Sequence, residues 1–320
     1  MERNGHAPAV WSLSDDKAGN RRQADALACA LAQAPVPLVL APRAPWRWSA
    51  PRRLPGSPRA FGAGFAHALA HPPSLAIGCG RQAALATRMV RERGGRAVQI
   101  LDPRIDPSLW DLLVVPEHDR LRGANVLSVF GSLHSVDDAW LAQARATFAS
   151  FALLPQPRIA LLLGGASRHF DFDRQGFDAL ADAIERQLVR DGGSLLATVS
   201  RRTPPAFGAL LRARFSHLPG VVWRGQSDGP NPYPGLLAWA DRIVCTPDSV
   251  NMLSEACATR APVQVFAPDE VNGRVRRFVD ALLARGHAQV LGTAWHDGER
   301  TPLRETERVA AEIRARLQLA

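Results

Sequence analysis

Short apolar runs alternate with longer amphipathic stretches along the whole chain, the pattern of parallel strands buried on both faces and joined by helices. In the first half this predicts strands over 10–13, 38–40, 75–77, 98–101, 112–115 and 126–129, with helices over 21–34, 61–70, 81–93 and 136–151. The stretch 41–58 is dense in Pro, Arg and Trp and reads as an irregular loop. Leu154-Pro155-Gln156-Pro157 stops a helix and restricts the backbone ahead of the next run, which sets a domain boundary and predicts domains over 1–155 and 156–320. The same grammar then restarts, with strands over 159–163, 194–199, 221–223, 242–245 and 263–266 and helices over 176–190, 205–214 and 249–258. The last helix is expected to pack back on the N-terminal domain. No short-period repeat is visible, which argues against a solenoid.

Composition narrows the class. A chain of 320 residues, 46% hydrophobic and 22% charged, can bury a substantial core. The net charge of +9 suggests an anionic partner, but Lys17 is the only lysine and arginine supplies every other basic residue, so the bias reflects composition as much as a polyanion site. Nucleic acid is therefore not the expected partner; an anionic small molecule or an anionic membrane surface suits the charge equally. Cys29, Cys79, Cys245 and Cys257 are widely spaced and form no CxxC pair, so they read as buried thiols rather than a disulfide framework or a zinc site. Residues 1–10 contain no apolar signal core, and no run of about 18 apolar residues occurs. The expected location is cytoplasmic, with peripheral contact at the inner membrane compatible.

Candidate chemistry falls at the carboxyl ends of predicted strands. Leu161-Leu162-Leu163-Gly164-Gly165-Ala166-Ser167 runs a strand into a Gly-Gly turn ending in a hydroxyl, where backbone N–H groups can approach a phosphate; it lacks the Lys-Ser/Thr ending of a P-loop. In Cys245-Thr246-Pro247-Asp248-Ser249-Val250, either Asp248 or Ser249 can cap the following helix, whose N-terminus favours an anion. Glu255, in that helix, either faces the site and accepts ribose hydroxyls or is a solvated carboxylate. Arg201 and Arg202 suit phosphate oxygens, and Asn231, between two prolines, presents an amide. In the first half, Asp15 or Asp16 follows the opening strand and can serve as general base, with Asp16 preferred and His118, between Glu117 and Asp119, as second choice. Gly80-Arg81 and Asp102-Pro103-Arg104 lie on the same predicted rim.

Two chemistries are disfavoured. Tyr233 is the only tyrosine and Leu237 stands where a Tyr-x-x-x-Lys pair needs its lysine, and the opening strand enters no GxGxxG turn, so short-chain-dehydrogenase and nicotinamide chemistry do not fit. Asp171-Phe172-Asp173 has the Asp-x-Asp pattern of metal-dependent transferases, but it follows a Gly-Gly loop rather than ending a strand, so no metal and no cofactor is expected.

The ordered set 163–170, Ser200-Arg201-Arg202-Thr203-Pro204, Gly229-Pro230-Asn231-Pro232-Tyr233 and 246–256, with Trp11, 16–20, Gln23 and 116–119 in the first half, resembles the bacterial branch of the Elm-type mitochondrial fission family over nearly the whole chain. Relatives tend to carry Thr-Ala-Asp-Ser where this chain has Thr246-Pro247-Asp248-Ser249. The resemblance implies an α/β, GT-B-like fold of two Rossmann-like domains whose parallel sheets face a cleft. It is similar in plan to the lipid-linked N-acetylglucosaminyltransferases of the bacterial envelope. The function expected is transfer of sugar from a nucleoside diphosphate sugar to an unidentified hydroxyl acceptor, lipid-linked or envelope-related. In that reading Gly164, Gly165, Ser167, Ser249 and Val250 cradle the diphosphate with Arg201 or Arg202, and Glu255 takes the ribose. The rivals are a non-catalytic scaffold that recruits a partner at a membrane, with Trp46, Arg47 and Trp48 as its docking element, and a nucleotide-sugar epimerase or hydrolase.

Overall fold

A computed structural model describes residues 10–295, 298 and 300–319. The reading of residues 1–9 lies outside them. In chain order the elements are β1 (Val10–Ser14), α1 (Ala18–Leu31), β2 (Val36–Val39), α2 (Trp46–Ser49), α3 (Ala63–Ala68), β3 (Leu75–Cys79), α4 (Arg81–Arg91), β4 (Arg96–Ile100), β5 (Leu112–Pro116), β6 (Val126–Val129) and α5 (Asp138–Thr147). There follow β7 (Arg158–Leu163), α6 (Arg174–Asp191), β8 (Ser194–Val199), α7 (Pro205–Arg214), β9 (Gly220–Trp223), α8 (Tyr233–Trp239), β10 (Arg242–Cys245), α9 (Val250–Cys257), β11 (Val263–Val265), α10 (Gly273–Ala284), β12 (Gln289–Val290) and α11 (Thr306–Leu317).

Contacts divide the chain into two compact units, 1–135 with 304–320 and 136–303. The first unit holds a parallel six-stranded sheet in the order β2-β1-β3-β4-β5-β6. Its central strands carry side chains buried on both faces, as continuous apolar runs such as Leu75-Ala76-Ile77 and Leu112 to Val115 require. One face is covered by α1 and α11, whose Ala24, Leu27 and Ala28 pack in one core with Val309, Ala310, Ile313 and Leu317. The opposite core joins Trp11, Leu13 and Phe65 to Leu85, Met89 and Val90 of α4.

The second unit has a parallel sheet in the order β12-β11-β10-β7-β8-β9. Counted from its own first strand this is 6-5-4-1-2-3, the doubly wound order whose direction reverses between the first and fourth strands, here β7 and β10. The division falls at Ser135/Val136 rather than at the proline pair, because α5 and the turn after it pack on α8. Arg145 Nε donates to the Ala238 carbonyl at 2.8 Å, and Phe148 lies so close to Gly235 that no Cβ would fit there. The carboxyl-terminal residues belong to the first unit through α11.

Every strand read from the apolar runs is present within a residue or two of its expected ends, and β12 was not read. Helices α8 and α10 were not read either, and 41–58 contains α2 and a 3-10 turn at Ser57–Arg59 rather than being irregular throughout. The cysteine reading needs a correction: Cys79, Cys245 and Cys257 are buried, but Cys29 is exposed, because it falls on the outer side of α1 while Ala24, Leu27 and Ala28 take the core. No helix among the described residues is long and apolar enough to cross a membrane.

Candidate functional site

The turns after β7 and β10 meet at the point where the strand order of the second sheet reverses. Asp248 joins them. Its side chain is fully buried, and Oδ1 accepts from the Thr246 hydroxyl at 2.7 Å while Oδ2 accepts from the Gly165 N–H at 3.4 Å and pairs with Arg202. Thr246 Oγ1 in turn accepts from the Gly164 N–H at 2.7 Å. A Cβ on Gly164 would collide with the Asp248 carboxylate, and one on Gly165 would meet the Arg202 backbone carbonyl. The two glycines therefore permit close approach of the β8 and β10 turns, and the N–H groups expected to face a phosphate are already held by Thr246 and Asp248.

The turn after β8 is fixed by Thr203, whose hydroxyl lies within donor reach of the Leu163 carbonyl (3.1 Å) and the Gly164 carbonyl (2.6 Å) and accepts from Ser200 N at 3.0 Å. Arg202 N donates to Ser200 Oγ at 3.1 Å. This local wrapping leaves Arg201 and Arg202 exposed at the rim, with Arg202 anchored by Asp248. Thr246 and Thr203 were not singled out by sequence reasoning; the signal available was a hydroxyl residue close after each strand end, where side chain and backbone compete for the same donors.

Of the two candidate caps, Ser249 is the one that caps α9: its Oγ accepts from Met252 N at 3.3 Å. The first-turn N–H groups of such a helix lie outside its own hydrogen-bond ladder and carry the positive end of the helix dipole, and Val250 begins that turn. Glu255, in the second turn, is 4% exposed, so it is not a solvated carboxylate. The Tyr233 hydroxyl donates to Glu255 Oε2 at 2.5 Å. Tyr233 opens α8, where Asn231 Oδ1 accepts its backbone N–H at 3.0 Å; Asn231 thus sets the start of α8, its exposed side chain remaining at the rim.

Beyond the glycines the chain forms a small loop. Ser167 N donates to the Phe170 carbonyl at 2.8 Å, and Ser167 Oγ accepts from His169 N at 3.1 Å. The loop rests on Phe170, Phe172, Phe207 and Phe266 and is tied to the start of α10 by Asn272 N donating to the His169 carbonyl at 2.8 Å. Asp173, the second residue of the Asp-x-Asp pattern, caps α6 by accepting Gly176 N at 2.9 Å.

In the first unit the order reverses between β1 and β3. Asp15 is buried after β1, where it accepts from Asn20 Nδ2 at 2.8 Å and from Lys17 N at 3.2 Å; Asp16 is exposed beside it. Asn20 lies against Gly80, whose φ of +88° and lack of a Cβ open the start of α4. His118 is half-buried after β5. Three strand spacings, roughly 14 Å, separate β1 from β5, so Asp16 and His118 follow strands that are not neighbours in the sheet.

The chain aligns over 277 residues at 29% identity with the mitochondrial fission protein ELM1 of Arabidopsis thaliana, an alignment that spans 77% of this chain and 64% of the plant protein. Among solved structures, UDP-GlcNAc 2-epimerase from Methanocaldococcus jannaschii superposes with a TM-score of 0.53 at 12% identity, over 96% of this chain and 99% of that one. UDP-N-acetylglucosamine 2-epimerase from Rickettsia bellii gives 0.52 at 10% identity, over 98% and 95%. These likenesses establish the GT-B-like α/β fold. The model of the mitochondrial fission ELM1 family matches residues 18–317, and the chain belongs to that family.

Proposed function

We propose that the second unit binds a nucleoside diphosphate sugar at the reversal between β7 and β10 and that the protein transfers the sugar to a hydroxyl acceptor. The observation that carries this reading is the coincidence at one strand reversal of a capped helix N-terminus, two rim arginines and a buried carboxylate in the helix's second turn. The first-turn amides from Val250 onward, with Arg201 and Arg202, supply positive charge to a diphosphate leaving group. Ser167 and Asn231 border it. Gly164 and Gly165 act by admitting Asp248, which locks Arg202, rather than by donating N–H groups. Glu255, oriented by Tyr233, accepts from ribose hydroxyls. On the acceptor side Asp16 is the base, being the exposed carboxylate of its turn, with His118 as the alternative. The structural neighbours named above are UDP-sugar enzymes, which supports a nucleotide-sugar partner.

A thermal-shift screen against UDP, GDP, ADP, CMP and their sugars tests the reading. A true donor at a hundredfold excess over its Kd adds about 2.7 kcal/mol of stability. Product analysis with that donor then separates transfer from epimerisation or hydrolysis. One observation favours a second reading, a scaffold that keeps the fold without catalysis: the Gly164 and Gly165 amides and Glu255 all have protein partners. No stabilisation across the panel would select that reading.

A further inference from the structure

Residues 41–60 carry five arginines, Arg43, Arg47, Arg52, Arg53 and Arg59, and neither Asp nor Glu. The segment is held firmly. Arg43 N donates to the Ala60 carbonyl at 2.9 Å and closes it; Arg88 Nη1 donates to the Pro51 carbonyl at 2.8 Å; and Arg81 Nη2 reaches the Arg47 carbonyl at 3.1 Å. Ala50, Ala60 and Trp46 pack into the same core as Trp11 and Phe65. From this base Trp48 projects outward, 72% exposed, with Arg43, Arg47, Arg52 and Arg59 also exposed and Arg53 paired with Glu92.

An indole held in water on an ordered support loses the burial that usually fixes it, and its ring suits the boundary between headgroups and acyl chains. Arginines flanking it can pair with lipid phosphates while their stems lie along the same boundary. A protein hot spot would instead be ringed by packed contacts that exclude water, whereas every charged residue exposed in this segment is an arginine and the other exposed ones are the small Ala41, Ala44, Pro45, Pro55 and Gly56. Val189, another exposed apolar side chain, lies among Asp182, Glu185, Arg186 and Arg190, where the two signs balance and no positive excess favours an anionic surface.

We propose that this face of the first unit docks on a lipid bilayer rich in anionic headgroups, with Trp48 entering the interface and Arg43, Arg47, Arg52 and Arg59 pairing with phosphates. Co-sedimentation of the full chain with vesicles of equal parts phosphatidylcholine and phosphatidylglycerol, against phosphatidylcholine alone, tests it. The wild type should bind the mixed vesicles, more weakly at high salt, and leave the neutral ones unbound. Trp48→Ser should weaken binding about tenfold by the lost apolar burial. Arg47→Gln with Arg52→Gln should weaken it about 25-fold, at about fivefold per arginine near the surface. Arg174→Gln with Arg186→Gln removes the same charge from the second unit and should leave binding unchanged. Absence of wild-type binding, wild-type binding by the Trp48 variant, or equal losses in the two double variants would each overturn the proposal; unaltered melting temperatures guard against misfolding.

Discussion

Asp248 shows how much one buried carboxylate can organise. Thr246, Gly165 and Arg202 all converge on it, so the turn after β7, the turn after β8 and the cap region of α9 are fixed relative to one another through a single side chain. Gly164→Ala would place a methyl group inside that carboxylate and should cost about 2–3 kcal/mol, read as a fall in melting temperature. Gly192→Ala meets no neighbouring atom but must hold φ +70° and ψ −154°, a region nearly confined to glycine, and should cost about 1–3 kcal/mol through the backbone alone. Sequence reasoning found Gly164, Gly165, Asp248 and Glu255 because turn glycines and polar residues after apolar runs stand out. It could not find the role of the glycines, since whether an N–H is already held by Thr246 depends on a partner some eighty positions away. Tyr233 was noticed for lacking a lysine partner and as the end of the 229–233 motif, without a role; its contact with Glu255 joins two helices that no local pattern links.

Helices and strands were legible in proportion to how strongly they are buried. The runs 112–115 and 159–163 are buried throughout, and their apolar continuity leaves no other reading. β12 has two partly exposed residues, and α10 opens with Gly-Arg-Val-Arg-Arg, so neither shows a clean period. α8 is masked by Pro232 and Pro234 at its start, although proline is well suited to the first turn of a helix. Within α9, Ser249→Ala should cost about 1 kcal/mol by leaving Met252 N without its cap, while Asp248→Asn should disturb the three-turn junction instead. α11 supplies one side of a core in the first unit, so a chain ending at Leu303 should expose Leu27 and Ala28 and lose hydrogen-exchange protection in β1 and α1.

For the whole molecule, burial and ion pairing set the pH range of stability. His287 has its pKa lowered by burial first and then by Arg285 and Arg300, so the folded chain disfavours the proton that the unfolded chain accepts near 6.5. That contribution is present above the unfolded value and is lost as pH falls through the lower folded one. Asp191 is held down to about 2, chiefly by its hydrogen bond from Arg190 and also by Arg242, so its contribution is lost between the ordinary value of 3.8 and about 2. At the other end burial pushes the Cys257 thiol up to about 12, and stability falls as pH rises above 9 toward that value. Chemical denaturation across pH should therefore show a first loss below about 6.5, which His287→Gln removes, and a second in strong acid.

The central claim is that the strand reversal of the second unit is a nucleoside diphosphate site. Isothermal titration of the nucleotide selected by the screen into wild type, Glu255→Ala and Arg201→Gln tests it most directly. The account predicts saturable one-to-one binding that Glu255→Ala abolishes and Arg201→Gln weakens about tenfold, the effect of losing one charge-assisted contact. Binding of equal strength in all three proteins would place the nucleotide elsewhere and contradict it.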